Sequence, residues 1–419
     1  MNAYSVNVQL INNDCLIALK DMEENSVDSI VTDPPYELGF MGKAWDNTGI
    51  AYRVDLWKEV LRVLKPGGHL LSFGGSRTYH RMACAIEDAG FEIRDQIMWV
   101  YGSGFPKSLN IGKVMDKFLK TGNASWNGTG DSSNGALGYS KLQHKQDYRP
   151  EDYSNRHQNK SEITEEKAKA WEGYGTALKP AHEPIVLARK PLSEKTVAEN
   201  CLKWGVGGLA IDECRVGTEV IQGGRAGRTG KSTFNASIGE KQEPHTGRFP
   251  ANFIHDGSQE VLDLFPDSNG CQPHKINSKN NKYAGWGSIT NKNGEVVGYD
   301  GKGSAARFFY CAKASSKERN EGLEDFSNKE SKKFDGGEFK SASTVATERK
   351  SKNHHPTVKP ILLMKYLICL VTPKNGLVLD PFLGSGSTGI AAKELGYRFV
   401  GIEQNKEYFE IAKTRIERG

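Results

Sequence analysis

The sequence predicts an α/β protein: a doubly wound, mostly parallel sheet interrupted by a long irregular insertion. Three observations predict it. Residues 1–101 alternate strand-like and helix-like runs, as parallel βαβ units do. Residues 354–419 resume the same alternation after an intervening stretch that lacks it. The resumed part carries a glycine-rich turn between an apolar run and a helix, the junction at which doubly wound sheets bind ligands.

The elements follow in order. "VNVQLI" (6–11) is a β-rich run, "CLIALKDM" is helix-like, and "DSIVT" (28–32) reads as a buried strand. "YRVDLWKEVLRVL" sets Val54, Trp57, Val60, Leu61 and Leu64 on one helical face. "KPGG" (65–68) is expected to stop that helix, with "HLLSF" as the next strand. "CAIEDAG" is helical to a C-terminal glycine, and "RDQIMWVY" (94–101) is again a strand. Residues 102–176 are then rich in Gly, Ser, Asn and Lys with little periodicity. "EPIVLARKP" (183–191) returns as one more strand, and 192–353 is again polar, with islands "GRFPANFIHD" (247–256) and "ARFFYCAKAS" (306–315). The helix "PILLMKYLICLV", strand "LVLD" (377–380), helix "TGIAAKELG", strand "YRFVGIE" and a last helix with Phe409, Ala412 and Ile416 inward complete the chain. The expected organisation is a core in two parts (1–101 and 354–419), a polar insertion (102–182), a returning core strand (183–191) and a recognition region (192–353).

Charge supports that division. The net charge of +5 separates into −5 over residues 1–101, +7 over 102–355 and +3 over 356–419. A basic middle beside an acidic start suits a catalytic core with a polyanion-facing insertion. The 7 cysteines form no CxxC pair, so free thiols are expected and neither a metal site nor a disulfide framework. "ILLMKYLICLV" is short and carries Lys365, which suits a core helix better than a membrane span. With no signal-peptide pattern at the start, a cytoplasmic protein is expected.

The glycine turn reads Gly384-x-Gly386-x-x-Gly389, with Glu403 at the end of the next strand. That spacing satisfies a dinucleotide fingerprint, and no Gly-Lys-Ser/Thr follows to make it a P-loop. Sixteen residues follow Glu403 in this 419-residue sequence, so the remaining strands are expected from the N-terminal part. Asp380 opens the turn where a pyrophosphate would sit, and an acid there suits a cationic ligand bearing a nucleoside. S-adenosylmethionine has a sulfonium, an ammonium, a ribose and no phosphate, and Glu403 suits its ribose hydroxyls.

The strand "DSIVT" ends in "DPPY", residues 33–36. Two prolines fix φ and remove two donors, so the strand stops there. A nucleobase amino group is a poor nucleophile because its lone pair is delocalised into the ring. The Asp33 carboxylate and the Pro34 carbonyl can accept its two N–H bonds and aim the lone pair at a methyl group, while Tyr36 stacks on the base and Pro35 shapes the turn. If "LVLD" lies beside "SIVTDPPY", both features meet where the strand order reverses.

"DPPY" early, then "HPTVKP" (355–360), "DPFLGSGST" and "FVGIE", resembles the β-group, permuted amino DNA methyltransferases. The resemblance covers 1–101 and 354–419, and extends to "HEPIVLARKP". It implies a seven-stranded, Rossmann-like, S-adenosylmethionine-dependent fold with a target-recognition insertion. By position, Asp33, Pro34, Pro35 and Tyr36 would hold the base, and Asp380, Phe382, Gly384, Gly386 and Thr388 would line the donor site. Glu403 would bind ribose, Asp14 would contact adenine while also suiting a helix N-cap, and Thr357 and Lys359 would close over the methionine end. Trp45 is a further candidate for the base clamp, though a packed loop tryptophan suits it as well.

The family pairs aspartate with adenine-N6 and serine with cytosine-N4, so Asp33 favours adenine, with a flipped base in double-stranded DNA as substrate. Cytosine-N4 and RNA adenine methylation are the alternatives, and a nicotinamide oxidoreductase is the remote one. A glutamine methyltransferase is disfavoured, because its related motif starts with asparagine and follows the glycine loop. Arg225, Arg228 and Lys231 in "GGRAGRTGKS" suit phosphates, and Arg248 in "GRFP" suits a base edge. No metal is expected. A bacterial or phage origin, a homodimer and a separate restriction endonuclease are left open.

Overall fold

A computed structural model of the chain describes residues 8–38, 48–104, 108–122, 163–221, 245–271, 274–275, 295–296, 299–312, 318, 320–321, 323, 329–330, 350–351, 353, 355 and 357–418. The chain forms two compact units. Met1–Gly102, Glu183–Asp325 and His355–Gly419 make the first, and Ser103–His182 with Phe326–His354 the second.

The first unit is built on a nine-stranded sheet. Its strands are β1 (Val8–Ile11), β2 (Val27–Thr32), β3 (Leu64–Phe73), β4 (Glu92–Val100), β5 (His182–Arg189), β6 (Phe253–His255), β7 (Tyr310–Cys311), β8 (Leu377–Asp380) and β9 (Arg398–Ile402). Their order is β1-β9-β8-β2-β3-β5-β4-β6-β7. β1, β9, β8, β2 and β3 run parallel to their neighbours, while β5 is antiparallel to β3. The fold is therefore the doubly wound, mostly parallel α/β class. The seven expected strands are present, and β6 and β7 extend the sheet beyond β4 in parallel pairing. They come from the apolar islands of the polar region. By pairing, they cover a β4 edge whose backbone groups would otherwise stay open.

Each central strand sends alternate side chains to opposite faces, as the pleat requires. Val31, Leu71, Val378 and Phe399 join one core with helices α5 (Ile361–Val371), α6 (Ser387–Glu394) and α7 (Lys406–Arg418). Ile30, Leu70, Leu379 and Val400 join the other with α1 (Cys15–Lys20), α2 (Val54–Val63) and α3 (Tyr79–Asp88). Trp57 is fully buried and gives its indole N–H to the Ala51 carbonyl at 2.9 Å. In α7, Ala412 and Ile416 face inward as expected, joined by Ile411, while Phe409 is half-buried.

One boundary differs from the sequence reading. β3 begins at Leu64 and runs through "KPGG", so Leu64 is a strand residue and not the last turn of α2. Tertiary pairing decides it. Gly67 N donates to Lys190 O at 3.0 Å, Lys190 N donates to Gly68 O at 2.9 Å, and Val27 pairs with Leu64 before a register shift. Gly67 takes a φ of 81°, and a Cβ there would stand 2.3 Å from the Asn200 amide. The glycine admits α4 (Val197–Trp204), which carries Asn200, against the strand.

Residues 183–325 cluster with the sheet unit. Within that unit Val216–Ile221 and His245–Arg248 pair as an antiparallel two-stranded sheet. In the second unit the helix Ile111–Thr121 is capped by the Asn110 side chain and ends at Gly122 with φ 68°. Its Asp116 accepts from the backbone N–H groups of Thr164 and Glu165, at 2.9 and 2.8 Å. Among the described residues no helix is long and apolar enough to cross a membrane, and no group of His, Cys, Asp and Glu could hold a metal ion.

Candidate active site

β8 lies parallel to β2, with Val378 opposite Ser29 and Leu379 opposite Ile30. The carboxyl ends of these two strands therefore sit side by side. From β8 the chain proceeds to β9 on one side, and from β2 to β3 on the other, so this is the point where strand order reverses. The Thr32 hydroxyl, at the last residue of β2, donates to Asp380 Oδ1 at 2.7 Å.

Beyond Thr32 the chain turns at Asp33, Pro34, Pro35 and Tyr36, with Pro34 buried and Asp33 and Tyr36 half-buried. Asp33 Oδ2 accepts from Lys359 Nζ at 2.6 Å. Asp33 Oδ1 is buried with no hydrogen-bond partner among the described residues. Tyr36 donates its hydroxyl to Glu183 Oε2 at 2.7 Å, and its carbonyl accepts from Thr78 Oγ1 at 2.6 Å. The turn is therefore pinned by side chain and backbone alike. Burial, reinforced by the Asp33 and Glu183 charges, holds the Tyr36 phenol well above its ordinary range.

Lys359 is 6% exposed and lies 5.3 Å from the Tyr36 ring centre and 4.9 Å from that of Phe73. It also ion-pairs with Glu183 at 3.3 Å. Burial disfavours its charge, but Asp33 and Glu183 outweigh burial and hold its pKa above the usual lysine value. The resemblance places Lys359 over the methionine end of a donor. Here its ammonium group is engaged by Asp33 and Glu183, because two carboxylates are what offsets the cost of burying it.

The glycine turn is organised from within. Asp380 is 1% exposed, and its oxygens accept from Thr32, from Thr388 Oγ1 at 2.6 Å and from Phe382 N at 3.0 Å. Burial raises its pKa to about 6 against the pull of those donors. Asp380 and Thr388 are thus spent on holding the loop, and the Asp380 charge, from which a cationic ligand was expected, is turned inward. Glu403 is better placed to meet a ligand. It is half-buried, oriented by Gly384 N at 2.9 Å and Asn405 N at 2.8 Å, and raised to about 7 by burial.

The glycines serve packing as much as access. Gly384 (φ 53°) lies under His355, whose Nε2 would be 3.0 Å from a Cβ. Gly386 (φ 83°) would meet Ala412 Cα at 3.1 Å, and Gly389 would meet Ile416 Cδ1 at 2.4 Å, so both let α6 approach α7. His355 packs edge-on to Tyr408, and its Nδ1 lies 2.7 Å from the Thr357 carbonyl. Thr357 is exposed, and Phe382 half-buried beside the loop.

Asp14 follows β1, the neighbour of β9, so it stands at the same sheet edge as Glu403. It caps α1, accepting from Leu16 N and Ile17 N at 2.9 and 3.2 Å. Arg248 donates to Glu219 Oε2 at 3.0 Å and its guanidinium lies 4.1 Å from the Phe308 ring centre. Arg225, Arg228, Lys231 and Trp45 lie outside the described residues. Sequence reasoning missed Glu183. The available signal was an acid at the head of "EPIVLARKP": a strand antiparallel to its neighbour brings its first residues to the edge where parallel strands end.

A family model described as DNA methylase, N6_N4_Mtase, matches residues 27–414. Over 88 residues the chain is 43% identical to the Type II methyltransferase M2.LlaDCHI of Lactococcus lactis subsp. cremoris, covering 20% of this chain and 33% of that protein. Over 72 residues it is 49% identical to the Type II methyltransferase M.HindIII of Haemophilus influenzae, covering 17% and 23%. The match to the first thus spans about a third of that relative's length. Among solved structures, the M1.HpyAVI–SAM complex aligns over 98% of both chains with 16% identity and a TM-score of 0.37. The PvuII DNA methyltransferase, described as cytosine-N4-specific, aligns over 98% of this chain and 86% of its own, with 14% identity and a TM-score of 0.40. At these scores neither superposition adds to the fold described above.

Proposed function

Because the chain belongs to the DNA methylase family, we propose that it transfers a methyl group from S-adenosylmethionine to the exocyclic N6 of an adenine extruded from double-stranded DNA. The observation that carries this reading is the state of Asp33. One carboxylate oxygen is held by Lys359, and the other is buried without a partner among the described residues, at the tip of β2. An amino group is the kind of donor that would satisfy it, since an unmatched buried acceptor is costly.

S-adenosylmethionine, when bound, supplies an electrophilic methyl group on a sulfonium. The residues present fit it. Glu403 would hold the ribose hydroxyls, Asp14 would face the adenine end, and Phe382 and Gly384 would line the same edge. Asp380, Thr388 and Gly386 keep the turn in shape. On the other side of the switch point, Asp33 Oδ1 and the Pro34 carbonyl accept the two N–H bonds of the target amine. That withdraws the nitrogen lone pair from the ring and directs it toward the donor side. Tyr36 offers its ring to the base, with its hydroxyl fixed by Glu183. The amine's surplus proton would pass by way of Asp33 Oδ1 to solvent.

Asp33 supports adenine over cytosine through the family correlation of aspartate with N6. Membership in a DNA methylase family removes the nicotinamide reading. The Type II designation of its relatives supports a role in restriction–modification with a separate endonuclease, and DNA as substrate supports a cytoplasmic location. Modification-sensitive sequencing of DNA from cells expressing the protein tests the reading. N6-methyladenine at one motif is expected, absent with Asp33→Ala, while that variant still binds S-adenosylhomocysteine. N4-methylcytosine in its place would reverse the choice of base, and no modified base would sink the reading.

A further inference from the structure

We propose that Glu183 is a positioning residue for methyl transfer, anchoring Lys359 and Tyr36 so that one oxygen of Asp33 is held and the other is left for the target amine. This rests on the methyltransferase reading above.

The placement follows from the antiparallel direction of β5. Phe73 pairs with Ile185, and Gly74 N donates to Pro184 O at 2.9 Å. The start of β5 therefore lies at the carboxyl ends of β2 and β3, beside the Asp33 turn. Glu183 serves two partners there. It accepts from Tyr36 at 2.7 Å and ion-pairs with Lys359 at 3.3 Å. Burial, reinforced by the Glu183 charge, raises the phenol of Tyr101, the residue after β4. No partner of Glu183 belongs to the glycine turn or to Glu403, so its influence is confined to the base side of the site.

The charges explain why a second acid is needed. A buried ammonium is costly unless well paired. With Asp33 as its only anion, Lys359 would draw that carboxylate fully to itself. With Glu183 sharing the cation, Asp33 commits Oδ2 and keeps Oδ1 for a substrate. Glu183 also fixes the Tyr36 hydroxyl, and with it the plane of a ring offered to the base.

Protonation gives a readout that a scaffold role would not move. The groups facing Lys359 are Asp33 and Tyr36 from the turn after β2, Glu183 from β5 and the apolar ring of Phe73 from β3. Tyr101 reaches the cluster through Glu183. Burial alone pulls the Lys359 pKa down, and the two carboxylates hold it up. Removing one charge lets it fall, so the alkaline limit of activity should move to lower pH.

The experiment measures single-turnover transfer from radiolabelled S-adenosylmethionine to unmethylated genomic DNA as a function of pH. S-adenosylhomocysteine affinity is measured by calorimetry alongside. Glu183→Gln should slow transfer about tenfold or more and shift the alkaline limb down by about one pH unit, with donor-side affinity within about twofold. Glu183→Asp, which keeps the charge on a shorter arm, should restore the limb even where the rate stays low. A Gln variant with the parental rate and limb, or one that loses donor affinity in step with rate, would overturn the proposal. A parent that transfers no label to DNA would instead overturn the methyltransferase reading, and this inference with it.

Discussion

The Thr32 hydroxyl donates to Asp380 Oδ1 at 2.7 Å, joining two strand ends that lie 348 residues apart in the chain. One residue precedes the base-side turn and the other opens the donor-side turn, so this bond sets the spacing of the two halves. Thr32→Val keeps the shape and removes the donor. Hydrogen bonds to ionised acceptors are worth about 1.5–3 kcal/mol and neutral ones about 0.5–1.5. Since burial raises the Asp380 pKa to about 6, the destabilisation should be larger at pH 8 than at pH 5. Urea denaturation of both proteins at the two pH values measures it, and a pH-independent loss would show that the bond does not depend on the Asp380 charge.

Glu403 links pH to stability and, on the proposed donor site, would link it to donor binding as well. Its folded pKa, about 7, lies above the ordinary 4.5. A raised carboxyl contributes stability that is fully present below about 4.5 and is lost as pH rises through about 7. Hydroxyl donors favour the ionised form, so binding runs the other way. S-adenosylhomocysteine should bind more tightly as pH rises from 6 to 8, and Glu403→Ala should abolish that rise and weaken binding by roughly 1.5–3 kcal/mol. Calorimetry showing a flat profile in the parent would contradict the assignment.

Gly386→Ala tests the loop as a piece of architecture. The position has φ 83°, and its Cβ would lie 3.1 Å from the Ala412 backbone. The left-handed conformation costs a residue with a Cβ about 1–2 kcal/mol, and overpacking adds to that. Thermal denaturation should show a clear loss, larger than for Gly396→Ala, where φ is 78° but nothing lies within 4 Å.

Glu219→Gln should strengthen DNA binding. The acid now engages Arg248 at 3.0 Å and lies 3.9 Å from Arg307. Neutralising it releases Arg248 from this ion pair and removes a repulsion toward phosphates, while Arg307 stays held by the Gly303 and Ser304 carbonyls. Affinity for duplex DNA should rise and its salt slope steepen by about one phosphate contact or more. Unchanged affinity across the salt series would indicate that this strand pair does not meet the duplex.

Much was legible in the sequence alone. The α/β class follows from period, because strands and helices bury apolar side chains at different spacings. The two turns are legible because their chemistry is local: "DPPY" ends a strand by its own prolines, and "GSGST" begins a helix by its own glycines. The adjacency of β8 and β2 was accessible only as a consequence of the switch-point rule. What tertiary structure decided is who pairs with whom. Asp380 turns inward to Thr32 and Thr388, Lys359 meets Asp33 and Glu183, and "KPGG" is a strand because Lys190 supplies its hydrogen bonds. β6 and β7 join the sheet because β4 left an edge to cover. These pairings depend on strand order and direction, which bring together residues far apart in the chain, and no local periodicity carries that information.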